Sequence, residues 1–167
     1  EHHERRLMAL KWEDEEFETK FTGVQLITTR TGIVNIIAQF EEVNLNGSKV
    51  SRASIHNLTK FESFEFGIGD TIKVYNANMI IPQVADNVTR SGSFELPKYC
   101  PCCGTVLEVN LNKNGVRNLY CPNEDCMARN AQKVAHFCDK DAMGMDGLSA
   151  VLLEKLMAYG WIKNYVD

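Results

Sequence analysis

The chain lacks several features that would set its class at once. No apolar run approaches the ~18 residues of a membrane-spanning helix, so no membrane partner is expected. The first residues, EHHERRLMALKWEDEEFE, hold no apolar signal-peptide core, so nothing supports secretion. There is no surplus of positive charge: 18 Lys and Arg face 22 Asp and Glu, a net of −4. That is not the footprint of a general nucleic-acid binder. Residues 1–20 carry seven acids and four bases, and residues 21–98 carry seven of each. Any nucleic-acid face must therefore be a local patch. Repeats and low-complexity segments are also missing. What remains has the 44% hydrophobic and 24% charged content of an ordinary globular protein.

Cysteine, in contrast, is concentrated. Five of the six fall within Tyr99–Met127. Cys100 and Cys103 are two residues apart, Cys121 and Cys126 four, with 17 residues and an Asn114-Gly115 turn signal between the pairs. Two knuckles facing each other across a β-hairpin bring four thiolates around one tetrahedral Zn²⁺. Four thiolates leave no open coordination position, so such a zinc is structural. Bunched cysteines also suit a reducing compartment better than disulfides do. Cys102 competes for the first knuckle, but only Cys100 with Cys103 has the spacing of a metal loop. Cys138 lies in an apolar helical pattern and reads as core.

Before this module the pattern is β. Phe21–Thr29 and Gly32–Phe40 are strand-like and split by Arg30-Thr31-Gly32. Val43–Val50 alternates on both sides of Asn46-Gly47, a hairpin signal. Thr59-x-x-Glu62 fits a capping box that opens a short helix ending at Gly67. His56 and Asn57 precede it as candidate caps. Asp70–Asn76 and Met79–Val84 predict two further strands. Five strands with a helix before the fourth is the order of an OB barrel, with another small barrel or sandwich as the alternative. Asp86–Pro97 reads as a linker. After the cysteines the period turns helical, over Ala131–Cys138 and then Ala150–Tyr159, with Gly160 as the stop. The strand-like Leu7–Trp12 lacks partners nearby, and the chain ends mid-pattern. Both predict a piece of a longer protein.

Several segments then occur in a telling order. They are Arg30-Thr31-Gly32, Val50–Asn57 (VSRASIHN), Gly69-Asp70-x-Ile72-x-Val74 and Ala77-x-Met79-Ile80-Ile81-Pro82, then the four cysteines, His136-Phe137-Cys138 and Ala142-Met143-x-Met145-x-Gly147-Leu148. Together they resemble the middle of a bacterial NAD⁺-dependent DNA ligase. The resemblance implies a multidomain fold: an all-β OB-fold barrel, a small four-cysteine zinc finger and an α-helical helix-hairpin-helix segment. The boundaries it implies are residues 1–18 for the end of an adenylation domain, 19–96 for the OB fold, 97–128 for the zinc finger and 129–167 for the start of the helix-hairpin-helix domain.

The same resemblance implies the site residues. Lys11, in ALKW, matches a family Lys that contacts the nucleotide phosphate. Arg30, Arg52 and Lys73 are the candidate DNA-phosphate contacts, each with a solvated surface side chain as the alternative. Ile80 and Ile81 match an apolar pair in the minor groove near the nick, or else one of them lies in the barrel core. Cys100, Cys103, Cys121 and Cys126 are the metal ligands. NAD⁺ and Mg²⁺ serve the parent enzyme, nicked double-stranded DNA is the partner, and the protein is a bacterial, cytoplasmic monomer. No KxDG occurs; Gly144-Met145-Asp146-Gly147 has Gly where the nucleophilic Lys would stand, so this stretch alone is expected to be inactive. Ser149 replaces the hairpin's second Gly. A stand-alone OB and zinc-ribbon module would bind nucleic acid without chemistry. A metal-stapled protein-interaction module is a third reading, consistent with the acidic balance.

Overall fold

The computed structural model describes residues 14–163. Lys11 and Leu7–Trp12 lie outside them. The strands β1 (Phe17–Thr28), β2 (Ile33–Leu45) and β3 (Ser48–Ser54) form an antiparallel meander. Asn46 and Gly47 turn β2 into β3 with φ of 51° and 90°, as the Asn-Gly signal predicts. The helix α1 (Leu58–Phe64) precedes β4 (Thr71–Ala77) and β5 (Ile81–Asn87). Strand β4 pairs with both β1 and β5, and β3 lies beside β5, bringing the barrel round. A register shift at Phe21/Gly23 bends β1, the usual device for coiling a sheet. This is the OB order read from the sequence.

Alternation within the strands decides what is inside. Phe21, Leu26, Val34, Ile36, Ala38, Phe40, Ile72 and Val74 point inward and are buried. Phe21 stacks on Phe66 with centroids 4.5 Å apart, and Phe61, Phe64 and Phe94 pack around them. Burying one such ring stabilises the fold by about 1.5–3 kcal/mol.

Phe94 corrects the linker expectation. Asp86 and Asn87 belong to β5, and residues 88–96 run back across the barrel as a strap. The Gly92 and Phe94 N–H groups donate to the Glu65 and Phe66 carbonyls at 2.8 and 2.9 Å. A Cβ on Gly67 would meet Ser91 Oγ at 1.8 Å, so the strap needs glycine there. Composition marked this stretch polar, yet two apolar residues, Phe94 and Leu96, dock it onto the core.

The capping box is also corrected. Helix α1 starts two residues earlier than that box implies, and Asn57 Oδ1 caps it by accepting from Lys60 N–H at 2.8 Å. Thr59 and Glu62 reach elsewhere: Thr59 Oγ1 accepts from Arg117 N–H at 3.0 Å, and Glu62 pairs with the Arg117 guanidinium at 2.6 Å. The helix ends at Glu65 in the left-handed region, two residues before Gly67.

The cysteine hairpin, β6 (Glu108–Leu111) and β7 (Arg117–Tyr120), is not a separate body. Strand β7 pairs with β2 through Ile33–Tyr120 and Val34–Leu119, extending the barrel sheet. Cys100, Cys121, Cys126 and Leu119 share one core with the barrel. Helices α2 (Met127–Cys138) and α3 (Ala150–Ala158) form a second, small core of Val134, Cys138 and Leu153. Among the described residues no helix is long and apolar enough to cross a membrane.

Asp70 locks the strap and the turn before β4. Its buried Oδ2 accepts from Gly67 N–H and Asn87 Nδ2 at 2.8 Å and from Ser91 N–H at 3.2 Å. Burial alone would raise its pKa, but these donors together hold it below the usual value. A depressed folded-state pKa gives stability that is present above the unfolded value of roughly 3.9 and is lost as pH falls through the folded one. Asp70→Asn should therefore cost about 1.5–3 kcal/mol in urea unfolding at pH 7, with the gap to wild type narrowing below about pH 4. A gap that does not change with pH would contradict the charge's role.

Candidate metal centre and nucleic-acid face

The four sequence-predicted cysteines converge. The sulfurs of Cys100, Cys103, Cys121 and Cys126 all lie within 4.8 Å of one another. Cys100 Sγ is 3.9 Å from Cys126 Sγ, and Cys103 Sγ is 3.6 Å from Cys121 Sγ. A tetrahedral zinc with Zn–S bonds near 2.3 Å needs sulfur edges of roughly 3.8 Å, so the donor set fits that ion. Cys102 is exposed and outside the group, and Cys138 is buried in the helical core, both as read from the sequence.

Local structure builds the cage. Cys100 N–H donates to the Thr105 carbonyl at 2.8 Å, and Gly104 N–H donates to the Cys100 carbonyl at 3.0 Å, closing the first knuckle. Cys126 sits at the start of α2, where free N–H groups favour an anion. Thr28, from β1, places its Oγ1 3.4 Å from Cys100 Sγ.

The thiols differ in acidity. Burial opposes ionisation of Cys103, but Thr105's hydroxyl and N–H and the neighbouring thiols bring it down to about 6. Burial, only partly offset by the Asn123 N–H, pushes Cys121 up to about 11. Burial likewise raises Cys126 against the N–H groups of Arg129 and Ala128. Cys121 and Cys126 thus favour their protonated forms, and a divalent cation would displace those protons.

The candidate DNA contacts fall in three places. Arg30 is exposed on the turn between β1 and β2. That turn is seated against the second knuckle: Cys121 N–H donates to the Gly32 carbonyl at 2.8 Å. Gly32 has φ +88°, and a Cβ there would meet Tyr120 Cε2 at 2.6 Å and Cys121 O at 3.0 Å. Arg52 is exposed on β3 and lines an open groove of about 730 Å³ with Gln39, Lys49 and Pro82. The groove brings Arg52 beside the start of β5. Lys73 sits elsewhere, in an ion pair with Glu16 at 3.3 Å, with Glu18 and Asp86 opposite it on the adjoining strands. An acidic setting is a poor one for a phosphate contact.

The apolar segment is more exposed than alternation predicts. Asn78–Ile80 form a tight turn, and β5 starts only at Ile81. Met79, Ile80 and Ile81 are 81%, 80% and 52% exposed, so neither isoleucine belongs to the core. Asn78 and Met79 hold φ of 51° and 64°. Asn tolerates this region, but Met there is strained.

Two features had no sequence signal. Arg117 joins the cysteine hairpin to α1. Arg129 is 7% exposed, and its Nη1 donates to the carbonyls of Cys121 at 3.2 Å and Asn123 at 3.1 Å.

Residues 18–94 match the family model described as the NAD-dependent DNA ligase OB-fold domain. This chain carries the OB-fold domain of the NAD-dependent DNA ligase family. It is 50% identical over 163 residues to a DNA ligase of Ruminiclostridium cellulolyticum, covering 98% of this chain and 25% of that ligase. It is 46% identical to one of Lachnoclostridium phytofermentans and 34% identical to one of Mycoplasma genitalium, with the same coverage. The chain thus spans about a quarter of the length of the curated relatives it matches.

Metal analysis should find about one zinc per chain, and Cys102→Ser should keep it. Cys121→Ser should lose it, with unfolding of residues 97–128 followed by circular dichroism. Equal metal content in the two variants would exclude this ligand set.

Proposed function

We propose that this segment grips nicked duplex DNA for an NAD⁺-dependent ligase. The parent enzyme would transfer AMP from NAD⁺ to its own Lys, then to the 5′-phosphate of the nick, and seal with the 3′-OH. Mg²⁺ would offset phosphate charge. The adenylated Lys would lie in a KxDG outside this chain, and Lys11 would contact the nucleotide phosphate. NAD⁺ attack therefore belongs elsewhere in the parent, and this segment alone would be inactive. A bacterial, cytoplasmic, monomeric enzyme acting in DNA replication and repair is the setting that fits.

One observation carries the reading: an exposed apolar turn, Met79–Ile81, stands beside the groove holding Arg52. Apolar side chains that enter a minor groove widen it and bend the duplex, reading shape without a base code. A nearby guanidinium would hold the phosphate backbone. Arg30 would add a second phosphate contact from the β1–β2 turn. Lys73 would contribute only if DNA displaced Glu16. The barrel's Phe21, Phe40, Phe61 and Phe64 are buried, which leaves no stacking platform from them for single strands.

The four cysteines would hold a structural Zn²⁺, with no free position for chemistry. The proposed units remain residues 1–18, 19–96, 97–128 and 129–167, although the second and third share a sheet. The α2–loop–α3 order supports the start of a helix-hairpin-helix domain in the last. Ser149 Oγ caps α3 by accepting from Leu152 N–H at 3.3 Å, using one N–H that a phosphate would otherwise meet.

Binding of the chain to nicked duplex across a salt series is the test. Arg52→Ala should reduce the salt slope by about one. Ile80→Ala with Ile81→Ala should weaken binding about tenfold, a loss of about 1.4 kcal/mol, and leave the slope unchanged. Equal affinity for single strands and nicked duplex, or binding indifferent to these residues, would defeat the proposal.

A further inference from the structure

Arg129 is the one buried cation among the described residues. No carboxylate pairs with it among them, and its Nε has no hydrogen-bond partner. A guanidinium buried without an anion is costly, and among the described residues no ion pair offsets it. Its two carbonyl acceptors are those of Cys121 and Asn123, in the second knuckle itself. Tyr120 covers it, with the ring centroid 5.7 Å from Cζ. A divalent cation held by four thiolates carries a net charge of about −2, also buried here. The two unbalanced charges are neighbours.

We infer that Arg129 is the buried counter-cation of the tetrathiolate centre and thereby sets its metal affinity. The inference rests on the reading of the four cysteines as a metal site. It gives a reason for the missing carboxylate: the metal-bound thiolates would be the partner anion. Gly32 extends the arrangement, because a Cβ there would lie 3.1 Å from Arg129 Cζ. The turn that carries Arg30 is therefore packed directly on the counter-cation.

The experiment measures Co²⁺ and Zn²⁺ affinity by chelator competition in the full chain, for wild type, Arg129→Met and Arg129→Lys. Arg129→Met keeps bulk and removes charge, and should weaken affinity by about 10- to 100-fold, the scale of outer-shell losses. The visible Co²⁺ spectrum should still report four thiolates. Arg129→Lys should recover most of the loss, because charge is the operative property. Wild-type affinity in Arg129→Met would overturn the inference, and so would Arg129→Lys as weak as Arg129→Met. Should Arg129→Met fail to fold, Arg129→Gln against Arg129→Lys poses the same contrast with the same deciding outcomes. A wild-type chain that gives no tetrathiolate Co²⁺ spectrum would instead overturn the metal reading beneath it.

Discussion

The second edge of β2 is the constraint on which the rest depends. One side of β2 is occupied by β1 along much of its length. The other is shared end to end: β3 takes Ile37–Leu45, and β7 takes Ile33–Val34. Because β7 leads straight into Cys121, the second knuckle is held by the barrel's own hydrogen bonds. The first knuckle is held by Thr28 from β1. The four sulfurs therefore meet because two adjacent strand ends of the barrel position them. A flexible tether between barrel and hairpin would not fix sulfur edges near those of a tetrahedral ion.

The same junction organises the surface. Gly32 permits the approach of Tyr120 and Cys121, and this approach leaves Arg30 on the outside of the turn. Between β4 and β5, the strained Met79 turn keeps three apolar side chains in solvent rather than in the core. Strain and exposed apolar surface each cost stability, and their coincidence marks a place shaped for contact with something else. Glu16, Glu18 and Asp86 gather around Lys73 on β4, while Glu42 pairs with Lys49 of the Arg52 groove at 2.8 Å. A chain with net negative charge can thus still offer a local cationic and apolar face.

Much of this was legible in the sequence, where a local rule was enough. Asn46-Gly47 specified its own turn, and the cysteine spacings specified which four of six thiols would meet. Period alone placed α2 and α3. The failures share a cause: they depend on partners distant in sequence. Thr59 and Glu62 look like a capping box but are claimed by Arg117, and Asn57 caps the helix instead. Asp86–Pro97 has linker composition, yet Phe94 and the donors around Asp70 pin it. Alternation left the core open as an alternative for one of Ile80 and Ile81, but a left-handed turn shifts the strand start and exposes both. Lys73 looked like a free cation until β1 and β5 brought acids beside it. Arg129 has no motif, because its role exists only where α2 returns to the knuckle.

The central claim is that the metal site and the β1–β2 end of the barrel are one cooperative unit joined at β2. Hydrogen exchange with and without a zinc chelator tests it most directly, read at the Cys121 amide, which donates across the junction to Gly32, and at the Thr29 and Gly32 amides, which bond within the β1–β2 turn it is seated on. The account predicts that chelation speeds exchange at all three while the β4 amides at Ile72 and Val74 stay protected. Faster exchange confined to residues 97–128, with Thr29 and Gly32 unchanged, would contradict it.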